Sequence, residues 1–232
     1  MGWLSGLTAS GVFLFSIILG LFFVYKSRKT KLSLLLYLGL IYVFAGLVYV
    51  GDFLDFATVL TTGYNIKEYS WIGIVNWMWF PGAIICAIYL GAQLILTKKK
   101  WLIVSIYIVL GIIFELFLFF DPAGTITYSI PLNPGEDLIN DNIILESVDF
   151  VIALIYLLSI LIFLGVGFLS KAIQSTGAIR KKFLFLSAGA FVYTIGGILD
   201  GLFSPGIALI FIRSAMIISA WLFYVGLGEK AI

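Results

Sequence analysis

The chain has 232 residues, 62% of them apolar and 11% charged, with a formal net charge of +2 and a mean hydropathy of +1.15. Soluble domains carry about 25% charged residues, so a chain this poor in charge cannot coat a water-facing globule and must be solvated by lipid. With no His and one Cys, an internal disulfide, His acid–base chemistry and zinc or iron sites built on His and Cys are excluded.

In chain order, apolar runs cover residues 3–25, 32–56, 71–96, 101–120, 148–169, 183–203 and 207–226. Each is long enough to cross a core of ~30 Å, which takes about 20 helical residues. The runs are continuous rather than alternating, and lipid admits only helices or closed barrels, so helices are expected. The first run lacks the basic segment of a secretory signal and is too long for a cleaved one; it reads as a retained span. The expected fold is therefore an all-α seven-transmembrane helix bundle, a single domain over residues 1–232 with no soluble domain.

Lys and Arg fix its orientation. Lys26, Arg28, Lys29 and Lys31 follow the first run, Lys98, Lys99 and Lys100 the third, and Lys171, Arg180, Lys181 and Lys182 the fifth, with Lys230 in the tail. Only Lys67 and Arg213 fall elsewhere. The N-terminus is expected outside, the C-terminus inside, and the protein in the plasma membrane. Because topology explains the basic clusters, nucleic acid is not an expected partner. The long loop 121–146 then lies outside. It carries Glu136, Asp137, Asp141 and Glu146 and no Lys or Arg. Residues 125–130 alternate polar and apolar, as a short strand does. Asp137, Asn140, Asp141 and Asn142 offer oxygen atoms to calcium, but without the glycine and terminal Glu of a helix-loop-helix site, so a solvated acidic cap is expected. A tight turn at Ser204-Pro205-Gly206 joins the last two runs.

Sliding the second run onto the sixth by 151 positions brings Lys29 onto Arg180, Leu35 onto Leu186 and Tyr42 onto Tyr193. Sliding the third onto the seventh by 133 brings Ile84, Ile85 and Ala87 onto Ile217, Ile218 and Ala220. A 3+1+3 parallel repeat would follow, with the fourth run as linker. That layout is similar to sugar transporters of the SWEET type and to trimeric intracellular cation channels. The topology, with its glycine-rich stretch from Gly189 to Gly201, also resembles the seven-span input domains of microbial sensor kinases. These resemblances imply a transport or a sensing role and assign no residue.

Ionisable groups inside spans usually face a bundle interior. Here they fall toward the outer ends: Asp52, Asp55, Asn76, Glu115, Asp149, Asp200 and Arg213. A lone Arg at that depth costs roughly 2.5–3.5 kcal/mol on insertion scales, so Arg213 requires a partner. Glu115 matches its depth and Asp200 is closest along the chain. The alternatives are a fixed ion pair and an outward pocket in which Arg213 meets an anionic ligand. Pro81-Gly82 in the third run predicts a kink or hinge. Trp77 and Trp79 are candidate pocket walls, and Trp71 an interfacial anchor. Gly197 and Gly201 form a small-xxx-small pair suited to close helix contact. Cys86 reads as a packing residue.

No span has a mid-membrane Lys for a retinal Schiff base, and the tail acid Glu229 has no partner for an intramembrane protease. The expected function is a non-enzymatic binding or sensing module, acting with other membrane subunits or as a homo-oligomer, with no metal and no cofactor. The alternative is a small-solute or ion permease or channel. A lipid-pathway enzyme would require Asp52, Asp55 and Asp149 or Asp200 around one divalent cation.

Overall fold

A computed structural model describes residues 2–203 and 206–227. The Ser204-Pro205 part of the expected turn, Glu229 and Lys230 lie outside the described residues. Helices dominate: α1 (Gly2–Thr30), α2 (Ser33–Leu47), α3 (Val50–Thr62), α4 (Ser70–Trp77), α5 (Phe80–Ile95), α6 (Lys100–Phe120), α7 (Pro122–Thr125), α8 (Val148–Ile160), α9 (Gly167–Ile173), α10 (Gly177–Leu202) and α11 (Ile207–Gly226). Six straight segments are long and apolar enough to cross a membrane: Trp3–Thr30, Ser70–Ile95, Thr97–Phe120, Val148–Ile173, Gly177–Leu202 and Ile207–Gly226. The pair α2 and α3 makes a seventh if taken as one span bent by 45°. The chain is a multi-pass, all-α membrane protein.

The bend in the second segment has no proline. The helix tightens where Tyr49 N–H donates to Gly46 O at 2.9 Å instead of to the carbonyl four residues back. The expected kink at Pro81 takes the form of a break in the hydrogen-bond ladder. Pro81 sits in the first turn of α5, where a missing N–H costs least, and α4 ends at Trp77, the residue whose carbonyl Pro81 cannot reach. A third irregularity, a π-helical turn over Leu161–Val166, joins α8 to α9. There the Ser187 hydroxyl donates to Gly165 O at 2.8 Å, satisfying a carbonyl at the disturbed turn.

Neighbours in sequence are neighbours in space: α1 packs on α2 and α11, α10 on α11, α2 on α5, and α5 on α6. Helices α1 and α2 cross closely, where a Cβ added to Gly20 would meet Gly39 O at 2.8 Å and one added to Gly39 would meet Gly20 O at 2.7 Å. Gly197 and Gly201, expected to make such a contact, have nothing within 4 Å of an added Cβ. The basic loops gather at one end of the bundle. At the other, strands β1 (Ile126–Ser129) and β2 (Asn140–Ile143) pair antiparallel, Ile126 opposite Ile143 and Tyr128 opposite Asp141. This ribbon is a lid rather than a solvated cap, because Ile126, Leu138 and Ile139 are buried beneath it.

Toward the basic end the core is apolar. Phe23, Leu35, Leu90, Phe168 and Leu186 pack together with Leu38, Ala87, Leu164, Ala190 and Phe223. A second cluster around Phe80, Ile84, Phe114, Ile152 and Tyr156 joins α5, α6 and α8.

Candidate functional site

Above that core lies a cavity of about 380 Å³, within the 300–1,000 Å³ range of small-molecule sites. Its deep wall is apolar, formed by Leu38, Ala87, Leu164, Ala190 and Phe223. Its mouth, at the ribbon end, is polar: Tyr49, Asp52, Asn76, Asp141, Asp200 and Arg213.

Arg213 is 5% exposed and organises the mouth. Its Nε donates to Asp200 Oδ1 at 2.8 Å, and its Nη1 donates to Ser5 O at 3.0 Å. Asp52 Oδ2 stands 3.8 Å from Nη2. The guanidinium lies 5.6 Å from the centre of the Tyr49 ring, while the Tyr49 hydroxyl donates to Asp200 Oδ2 at 2.8 Å. Helix α11 thus supplies the cation, α10 its main carboxylate and α1 a backbone acceptor. The bend after α2 brings up the aromatic face.

Asn76 ties the other half together. Its Oδ1 accepts from Gly51 N–H at 2.6 Å, satisfying a donor in the first turn of α3 that the bend leaves without a helical carbonyl. Its Nδ2 donates to Asp52 Oδ1 at 3.2 Å and to Asp141 Oδ1 at 3.0 Å. Trp77 Nε1 donates to Asp141 Oδ2 at 2.8 Å. Burial pushes the Asp141 carboxyl up to about 6, with the Asn76 and Trp77 donors pulling it back. The break at Met78 and Trp79 therefore ends α4 with Asn76 and Trp77 beside the lid.

The other expected site residues lie elsewhere. Asp55, fully buried, accepts from the backbone N–H of Ile66 at 2.9 Å and of Ile139 at 3.0 Å, and from Asn65 Nδ2 at 2.8 Å. It fastens the two ribbon-end loops to α3 and is no part of the Arg213 cluster. Asp149 buries both carboxyl oxygens with no hydrogen-bond partner among the described residues, within electrostatic reach of Glu115. Glu115 lines a shallow groove with Pro81, Gly111 and Phe119. It does not partner Arg213, because α6 packs on α5 and α8, away from α11. Gly82 packs toward the Phe44 ring, an added Cβ lying 3.3 Å from it. Trp79 stacks on Phe44 and does not line the cavity, and Trp71 is 59% exposed, as an anchor would be. The carboxylates required for a shared divalent ion are dispersed: among the described residues no group of three stands close enough to hold a metal.

The chain matches no protein family, no curated protein and no solved structure. What it does is therefore argued from the cavity itself.

The sequence reading missed Tyr49 and understated Asp141. Tyr49 lies beside the unforeseen bend. Asp141 is one of several acids in a polar loop, and only its short alternating neighbourhood hinted that it folds back. Two pairs stand out on the walls. Tyr42 meets Tyr193 edge-on at 5.6 Å between ring centroids, and Tyr49 bonds Asp200. Both pairs are separated by the same 151 positions that align the second and sixth runs.

Proposed function

We propose that the chain is a non-enzymatic binding or sensing module of the plasma membrane, acting through other membrane subunits or a second copy of itself. In this reading the bundle crosses the bilayer seven times, with the N-terminus, the lid and the pocket around Arg213 outside and the basic loops in the cytoplasm. One observation carries it: the cavity is polar at the lid and stops on a packed apolar floor. Leu35, Leu90, Phe168 and Leu186 lie beneath the cavity walls within one hydrophobic cluster, and among the described residues the cavity lining does not continue past it toward the basic end.

The test is flux. Purified protein in sealed vesicles is expected to leave permeability to sodium, potassium, choline and small sugars at the protein-free level. Saturable, protein-dependent flux of any of these would overturn the reading.

The second reading is a permease or channel made of two three-helix units. It is favoured by the Tyr42–Tyr193 and Tyr49–Asp200 contacts, since residues equated by a repeat meet one another at a two-fold axis. It requires the floor to open, which the flux measurement also decides.

A further inference from the structure

We infer that the cavity takes an amphiphile with a cationic head and an apolar tail, drawn sideways from the bilayer between α8 and α10. The inference rests on the binding reading above and names its ligand class.

The route comes first. Helix α10 packs on the π-helical turn and α9 more extensively than on α8 itself. The cavity reaches the protein flank in the gap between α8 and α10. Leu154 on α8 and Leu202 on α10 both line it, yet are 48% and 64% exposed. Gly197 and Gly201 edge the same gap with open space where their side chains would be. A glycine pair that packs against no helix leaves an opening on the flank of the bundle.

The head follows from charge. Asp52, Asp141 and Asp200 face a single guanidinium, so negative charge is in excess at the mouth. Arg213 gives Nε to Asp200 and Nη1 to Ser5 and holds Nη2 3.8 Å from Asp52, so its charge is already shared between two carboxylates, which disfavours the anionic ligand considered from sequence alone. The Trp77 ring beside Asp141 suits an ammonium group, the Tyr49 face being taken by the Arg213 guanidinium.

The tail follows from the lower wall. At about 380 Å³ the cavity is in the range of small-molecule sites, and its lower part is walled by Leu38, Ala87, Leu164 and Phe223.

The experiment uses the full chain in nanodiscs with radiolabelled octyltrimethylammonium, corrected for uptake by empty nanodiscs. A saturable component is expected, displaced by the unlabelled cation but not by octyl sulfate at equal concentration. Asp141→Asn is expected to weaken affinity about tenfold. Asn142→Lys, a half-buried lid position that also lines the cavity, is expected to do the same by adding positive charge without removing a mouth hydrogen bond. Gly201→Phe is expected to slow association about tenfold while leaving unfolding unchanged. No saturable component, or equal displacement by octyl sulfate, overturns the cationic assignment. Unaltered association by Gly201→Phe overturns the lateral route. Either failure leaves the closed floor standing, whereas solute flux would remove the binding reading itself.

Discussion

Arg213 and Asp200 lie on adjacent helices and meet at 2.8 Å through Nε, with both side chains nearly sealed from solvent. Removing one partner of a buried pair leaves an uncompensated charge. Arg213→Met is therefore expected to destabilise the protein by about 3–5 kcal/mol. Adding Asp200→Asn should recover part of that loss, with a coupling of about 0.5–3 kcal/mol. Unfolding of the single and double variants by SDS in mixed micelles measures both. Strict additivity would mean the two side chains act independently.

The glycines divide into two classes that the sequence does not distinguish. Gly20 and Gly39 face each other's carbonyls at 2.7–2.8 Å from an added Cβ. Gly20→Ala and Gly39→Ala are expected to cost about 1–3 kcal/mol each through overpacking. Gly197→Ala and Gly201→Ala meet open space and should stay within about 0.5 kcal/mol of the parent. The same SDS assay ranks all four.

Asp55 is expected to hold the lid loops without touching ligand chemistry. Asp55→Ala removes acceptors for Ile66, Ile139 and Asn65, leaving buried donors unpaired at about 1–3 kcal/mol. Hydrogen exchange should accelerate in residues 63–67 and 135–139 while α10 and α11 keep their protection. Equal acceleration throughout would mean that the loops and the bundle open together.

The lid should respond to pH with a definite sign. Asp141 faces Asp52 and Asp200, with Arg213 and Tyr49 across the mouth, and burial raises its carboxyl to about 6. A carboxyl raised on folding favours the docked lid when protonated, so that contribution is complete at pH below about 4. It is lost as pH rises through about 6. Exchange of the β1 and β2 amides, corrected for intrinsic rate, should therefore increase between pH 5 and pH 7. Asp141→Asn should flatten the profile.

Much of this architecture is legible in the residues. The last run, 207–226, coincides with α11, and of the two candidate partners of Arg213, Asp200 and Glu115, Asp200 is the one found. Depth along a helix is a one-dimensional quantity and can be counted. Position around the bundle is not, which is why Glu115, at the right depth, turned out to sit on the far side from Arg213. The bend near Tyr49 escaped because a shift from four-residue to three-residue bonding needs no proline. The lid escaped because Asp141 differs from its loop neighbours only in what lies beneath it.

The central claim is a cavity whose polar mouth lies at the lid end and whose floor is closed toward the basic loops. It is tested most directly by thiol labelling in a Cys86→Ser background, with a single cysteine placed at Gly197, which lines the cavity and has space for it. A membrane-impermeant cationic reagent added from the lid side should label it, and the same reagent confined to the basic side should not. Labelling from the basic side, or from neither side, would contradict the account.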